Sequence, residues 1–427
     1  MDCRGIIQDS LDYIEENIKA EITMEELAAR AGFSLYHYCR LFQSAVGMPV
    51  MGYVLRRRLL HAIYAIRRGS SGIDAALTYG FETYAGFYRA FRREFGCTPS
   101  EFLRSCRAKR PCRIDLSREE HMTVTKKKAA RILKNWGLEA EKIADIYYEG
   151  TGNRNESAYY VGEEWVLKVT ANPGRMHSHI ALSEALEMAG LCAASAVPTA
   201  DGRACIREGE LYFYLTRRLP GKQLAAAELY GQDPAAGGRF IGGIIGRLHL
   251  ALAGMEQCVS DADLLETVKT WALPKAAEAV GLDAGFCRSW LAAFSRLYPE
   301  LPRQIIHRDP NPGNIIRDGE KWGFLDFELS ERNVRIYDPC YAAAAVLSES
   351  FGRDMEGWLE IYRGIFAGYD SAAALTPEER EAAPYVLLAN QLVCTAWFAE
   401  QEKYAELFET NKTMTRWLAE HFGELGV

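Results

Sequence analysis

Asp309, Asn314 and Asp326 lie close together in the chain, in the run His307-Arg308-Asp309-Pro310-Asn311-Pro312-Gly313-Asn314-Ile315-Ile316 and its continuation Gly323-Phe324-Leu325-Asp326-Phe327-Glu328. The two prolines resist helix around Asp309 and Asn314. Asp318-Gly319 is a hairpin signal that returns the chain through a strand ending at Leu325, just before Asp326. A loop built this way aims three oxygen-bearing side chains into one place. Phosphoryl transfer needs that equipment, because its transition state is positioned and charge-stabilised rather than built by covalent chemistry. One carboxylate accepts a hydroxyl proton, while a carboxamide and a second carboxylate hold Mg2+ on the phosphates. On the residues alone a plainer arrangement stays open, with His307 packed beneath the loop and Asp309 capping a turn.

The order His307-x-Asp309-x-x-x-x-Asn314, followed by Leu325-Asp326-Phe327, resembles the aminoglycoside phosphotransferase and choline kinase family, whose catalytic loop and metal aspartate protein kinases share. The resemblance covers roughly residues 123–427. It implies an α+β bilobal protein-kinase-like fold with ATP and Mg2+ as cofactors. It also implies that Asp309 is the base for an alcohol-group acceptor and that Asn314 and Asp326 are metal ligands.

The elements that must position these groups lie upstream. An apolar stretch over 143–148 and Ser157–Val161 flank Gly150-Thr151-Gly152-Asn153. Short side chains there let backbone amides approach a phosphate, which makes Gly150, Gly152 and Asn153 cofactor-binding candidates. Trp165-Val166-Leu167-Lys168-Val169 then reads as a strand. By the resemblance, Lys168 contacts the α- and β-phosphates, and Glu184, on a helix expected over 179–189, orients it. Glu187, one turn later, is the alternative. The chain departs from the family in three places. Arg308 stands where Gly is common, Asn311 stands where His is common, and after Tyr337-Asp338-Pro339 the run Cys340-Tyr341-Ala342-Ala343-Ala344 lacks a second, supporting aspartate. That absence puts the rate or the rigidity of the loop in doubt.

The first 113 residues differ in charge from the rest. They carry 17 basic against 12 acidic side chains, net +5, and the remainder carries 33 against 45, net −12, which together give −7. A basic excess is the electrostatic footprint of a phosphate backbone. An internal repeat sharpens the point. Ala31-Gly32-Phe33-Ser34 through Phe42, ending at Gly47-Met48-Pro49, recurs as Tyr79-Gly80-Phe81-Glu82 through Phe91, ending at Gly96-Cys97-Thr98-Pro99. Each copy is a helix, a Gly-containing turn and a second helix restarted by Ser or Glu near its N-cap. A long helix over 51–68 joins them. This arrangement resembles the AraC/XylS-type double helix-turn-helix domain, which implies double-stranded DNA as a partner. Tyr38, Leu41, Phe42, Phe87, Ala90 and Phe91 share the packing phase. The opposite faces offer Tyr36, His37, Cys39 and Arg40, and then Tyr84, Ala85, Gly86, Tyr88 and Arg89. By resemblance these faces enter major grooves about one helical turn apart. Arg40 and Arg89 can bond guanine bidentately, with a phosphate contact as the other reading. Arg56, Arg57, Arg58, Arg92 and Arg93 read as backbone contacts or plain surface.

The expected organisation is therefore multidomain: an all-α DNA-binding domain over 1–106, a linker over 107–122, and a kinase-like domain over 123–427. The smaller lobe of the kinase-like domain is expected over about 123–218 and the larger over about 219–427. No stretch reads as an apolar membrane span and no signal-peptide pattern opens the chain, so a cytoplasmic protein without a membrane partner is expected. The 11 cysteines form no Cys-x-x-Cys pair or Cys/His cluster, which argues against a zinc site or a disulfide framework. Acidic side chains outnumber basic ones 14 to 6 from residue 341 onward, which suits either a cationic substrate or a solvated surface. Two functions compete. One is a transcription regulator whose kinase-like domain binds ATP-Mg2+ and a small molecule as sensor and phosphorylates it. The other is chiefly a small-molecule O-phosphotransferase whose DNA-binding module regulates its own expression. Homodimerisation is left open.

Overall fold

The computed structural model describes residues 3–95, 97–105, 111, 116, 124, 126–147, 154–255, 259–319, 321–400 and 405–427. Two compact units emerge. One comprises Met1–Ala171 with Val197–Thr216, and the other Asn172–Ala196 with Arg217–Val427.

Among the described residues the first unit opens with seven helices: α1 (Cys3–Glu16), α2 (Met24–Ala31), α3 (Leu35–Val46), α4 (Val50–Arg67), α5 (Gly72–Thr78), α6 (Tyr84–Phe95) and α7 (Pro99–Ser105). Local chemistry sets their ends. Thr23, Ser34 and Ser71 cap α2, α3 and α5 by accepting from the amides of Glu26, His37 and Asp74. Gly32 closes α2 in the left-handed region at φ 72°. The cap of α6 is Thr83, whose Oγ1 accepts from Gly86 N at 3.0 Å, and not the neighbouring Glu82. Helix α4 serves two cores. Val50, Tyr53 and Val54 pack with Leu11, Tyr38 and Phe42, whereas Leu59, Ala62 and Ile63 pack with Phe87, Phe91 and Phe102. One continuous helix thus holds both helix-turn-helix units.

After α8 (Lys126–Leu133) come β1 (Ile143–Tyr147), β2 (Arg154–Val161) and β3 (Trp165–Thr170), and then α9 (Pro173–Met188), β4 (Cys192–Ala193), β5 (Ile206–Glu208) and β6 (Leu211–Arg217). Strands β1-β2-β3-β6 are neighbours in one sheet, with β5 paired to β6. Tyr159, Val161, Leu167, Val169, Phe213 and Leu215 form its core against α8. Helix α9 begins six residues before the expected start. Asn172 accepts from Arg175 N at 3.1 Å and Pro173 takes the first helical position, where its missing N–H and fixed φ are favourable.

The second unit adds β7 (Lys222–Gln223), α10 (Pro234–Leu252), β8 (Ser260–Asp261), β9 (Arg303–Ile306), β10 (Ile315–Asp318), β11 (Lys321–Phe324), β12 (Glu331–Val334), α11 (Tyr337–Ser350), α12 (Met355–Ala372), α13 (Pro377–Ala399) and α14 (Ala405–Glu420). Two small sheets, β4-β11-β10-β7 and β9-β12-β8, present the loops after β9 and β11. Helix α13 corrects one expectation, because it is long and apolar enough to cross a membrane by length and composition. Val386, Leu387, Leu388, Ala389 and Leu392 are wholly covered within the helical core, as in a buried helix of a folded domain.

Candidate active site and nucleic-acid interface

The segment after β9 is fixed from below before any side chain faces outward. Asp338, fully buried in the first turn of α11, accepts from the backbone amides of His307 and Arg308, each at 2.8 Å. Its Oδ2 also lies 2.9 Å from His249 Nε2, and the other ring nitrogen of His249 lies 2.8 Å from the Tyr369 hydroxyl. The rigidity left in doubt by the missing second aspartate is therefore supplied by Asp338, with His249 behind it. Arg308 adopts φ 73°, the conformation Gly takes without cost at this position, and its guanidinium pairs with Glu331 at 3.0 Å.

Asp309 follows directly. Asn311 Nδ2 donates to Asp309 Oδ1 at 2.7 Å, and Asn314 Nδ2 donates to Asp309 Oδ2 at 3.1 Å and to its backbone oxygen at 2.9 Å. Tyr341 also lies near the carboxylate. Burial pushes the Asp309 carboxyl up. The bond from Asn311 and the nearby His307 and Tyr341 pull it down, while the charge of Asp326 raises it. His307 does pack beneath the loop, fully buried, but Asp309 is no turn cap. Its oxygens are held apart and oriented by two carboxamides.

Asp326 sits two residues beyond β11 in a left-handed turn, φ 64°. The ring of His307 reaches this turn, with Nε2 donating to Leu325 O at 2.8 Å, and Leu325 N donates to Asn314 O at 2.8 Å. The three residues expected to act together are thus joined by named contacts. With Asn314 Nδ2 committed to Asp309, Asn314 Oδ1 and the Asp326 carboxylate are the oxygens that could hold a cation. Such hard oxygen donors, few in number and completed by phosphate oxygens, fit Mg2+.

Lys168 lies on β3 opposite Ala158 of β2, with Nζ 6.0 Å from the Tyr214 ring. Glu184 is exposed on α9, as is Glu187, and this helix belongs to the unit that carries Asp309. Gly150, Gly152 and Asn153 fall outside the described residues. Sequence reasoning missed His249, Asp338 and Tyr341 as contributors. The Asp338-Pro339 pair was visible, but the partners of Asp338 come from α10 and from β9's end.

On the DNA-facing candidates, Tyr36, His37 and Arg40 are exposed on α3 and Cys39 is half-buried, while Tyr38 and Phe42 are buried beneath. The Arg40 guanidinium lies 5.8 Å from the Tyr36 ring centre. On α6, Tyr84, Ala85 and Arg89 are exposed, Gly86 and Tyr88 half-buried, and Phe87 and Phe91 buried. The arginine run of α4 requires a correction, since it is neither plain surface nor free for phosphate. Arg57 is buried and paired with Glu15, and Arg56 pairs with Glu94 at 3.0 Å. Arg58 donates to the carbonyls of Ile18 and Ala20 at 3.2 and 2.6 Å. The run ties α1, the segment just after it and α6 to the joining helix.

Residues 150–383 match the family described as phosphotransferase enzymes, and residues 27–105 match a helix-turn-helix domain. The right origin-binding protein of Escherichia coli is 31% identical over 158 residues, covering 35% of this chain and 55% of that protein. The probable transcription factor PqrA of Proteus vulgaris is 33% identical over 101 residues, covering 23% of this chain and 83% of that one. This chain spans about half the length of the first of these relatives. Among solved structures, a microcompartment-associated aminopropanol kinase is similar in fold (TM-score 0.53, 16% identity, 69% of this chain and 97% of that one). An amicoumacin kinase solved with AMP-PNP and Ca2+ is similar as well (TM-score 0.51, 15% identity, 70% and 92%).

Proposed function

The chain belongs to the phosphotransferase enzyme family, and from that premise we propose that it is a DNA-binding transcription regulator whose C-terminal part binds ATP-Mg2+ and a small molecule and phosphorylates a hydroxyl of that molecule. One observation carries the chemical half. The Asp309 carboxylate is oriented by Asn311 and Asn314 on a loop whose backbone is held by Asp338. In this reading Asp309 accepts the proton of the acceptor hydroxyl as it attacks the γ-phosphorus, and ADP leaves in line. Asn314 Oδ1 and Asp326 would hold the metal, which would neutralise charge on the phosphate oxygens. Lys168 contacts the α- and β-phosphates, Glu184 orients it, and Gly150, Gly152 and Asn153 cover the phosphates. The kinase-like domain is taken as 123–427, its lobes meeting near 218, with 107–122 as linker and 1–106 as the DNA-binding domain.

The DNA half rests on the two faces opposite the packing residues, with Tyr36, His37, Cys39 and Arg40 at one major groove and Tyr84, Ala85, Gly86, Tyr88 and Arg89 at the next. A ligand couples the halves only if it binds the DNA-competent form with different affinity. Operator affinity measured with and without Mg2+-ATP and a bound acceptor tests this, and an unchanged affinity refutes the sensor role. The reading as chiefly an enzyme is favoured by the supported base, because a pure sensor needs no proton acceptor.

A further inference from the structure

Asp326 pays a conformational cost that the surrounding chain has to offset. Non-glycine residues are disfavoured in the left-handed region, Asp less than most, and such a conformation persists where the surrounding chain fixes it, as around Asp326 at φ 64°. His307 ties the peptide before it, as its Nε2 donates to Leu325 O. The peptide after it is tied by a second histidine, from a helix about 150 residues away in sequence. Phe327 N donates to His179 Nδ1 at 3.1 Å, and His179 and Phe327 are both fully buried. Because Nδ1 accepts, the ring proton of His179 is on Nε2.

Helix α9 is itself fastened to this strand by its far end. Strand β4, which follows α9, pairs in parallel with β11, Cys192 opposite Gly323 and Ala193 opposite Phe324. A Cβ on Gly323 would come within 2.6 Å of Cys192 O, so the two backbones meet closely there. The α9–β4 segment therefore grips the β11–Phe327 segment on both sides of Asp326, at β4 before it and at His179 after it.

We propose that His179 is a positioning residue for the metal site: by accepting from the Phe327 amide it holds Asp326 in the left-handed turn that follows Leu325, whose own amide donates to Asn314 O. The inference rests on the reading of Asp326 as a metal ligand. Partners that orient a ligand typically matter about 10-fold or more for metal affinity, so the loss should be visible without turnover.

The test uses the full chain with AMP-PNP and reads the Mg2+ concentration that half-saturates the nucleotide-induced thermal shift. His179→Leu and His179→Gln are expected to raise that concentration about 10-fold, with the shift given by AMP-PNP in EDTA unchanged. His179→Asn places an acceptor oxygen one bond from Cγ, as Nδ1 is, and is expected to stay near wild type. A wild-type magnesium requirement in the Leu or Gln variant overturns the proposal, and so does an Asn variant as impaired as Leu. If the leucine variant fails to fold, the Gln and Asn variants decide alone. If wild type itself has no Mg2+-dependent step, or Asp326→Asn leaves that step intact, the metal reading fails and takes the inference with it.

Discussion

Asp338 Oδ2 stands 2.8 Å from the backbone nitrogen of His307 and 2.9 Å from His249 Nε2, so a single buried carboxylate joins the loop after β9 to α10. Removing it in Asp338→Ala strands two backbone amides and an imidazole nitrogen in a buried space. The expected loss is about 3–5 kcal/mol, in line with breaking other buried, charge-assisted networks. Urea denaturation of the full chain followed by tryptophan fluorescence checks it.

The position of His249 depends in turn on how closely α10 approaches α12. A Cβ on Gly242 would lie 1.8 Å from Ile365 O, and one on Gly238 would lie 2.2 Å from Ile361 O. Both obstacles are backbone atoms of a packed helix. Gly242→Ala is expected to destabilise by about 3 kcal/mol or more. Gly243, whose Cβ would meet only Gly368 O at 3.8 Å, behaves oppositely, and Gly243→Ala is expected to gain up to about 1 kcal/mol from helix propensity. Thermal melts of the two variants give the comparison.

In the N-terminal helices, burial alone would push the Glu15 carboxyl up, but the bonds from His61 and Arg57 outweigh it and hold the carboxyl below its ordinary 4.5. A carboxyl depressed in the folded state stabilises above its unfolded pKa, and that contribution is lost as pH falls through the folded value. The fold of these helices should therefore weaken on acidification below pH 4.5. Glu15→Gln should cost about 3–5 kcal/mol at neutral pH, since Arg57 is left buried without its counter-charge, and should flatten the acid dependence. Melts by circular dichroism across pH read both effects.

For DNA, Arg40→Ala and Arg89→Ala are each expected to cost about 1–3 kcal/mol on a selected operator and to relax discrimination at one base position. Replacing the exposed Arg92 or Arg93 should weaken all sequences alike and reduce the salt slope by about 1 each. Binding isotherms over a salt series separate the two behaviours.

The parts legible from sequence were those whose partners are near in the chain. Asp309, Asn314 and Asp326 share one loop–hairpin, and the repeated Gly-Phe turns lie within single helix-turn-helix units. What escaped were long-range pairings. The Arg56-Arg57-Arg58 run reads as a surface because nothing local reveals that its partners are Glu94, Glu15 and the carbonyls of Ile18 and Ala20 just past α1. Asp338 was visible, yet its role as loop anchor depends on His249, which contacts it from another helix. The early start of α9 was readable in Asn172-Pro173, a cap and first-turn pair that the expected boundary passed over.

The most direct measurement is phosphate transfer from Mg2+-ATP by the full chain to a panel of amino sugars, choline-like amines, sugars and amino-alcohols, with Asp309→Asn in parallel. The account predicts that at least one acceptor is phosphorylated and that Asp309→Asn loses about 10²–10⁴-fold in rate while Mg2+-nucleotide binding is retained. Transfer that persists undiminished in Asp309→Asn, or no transfer to any hydroxyl acceptor despite Mg2+-ATP binding, would contradict it.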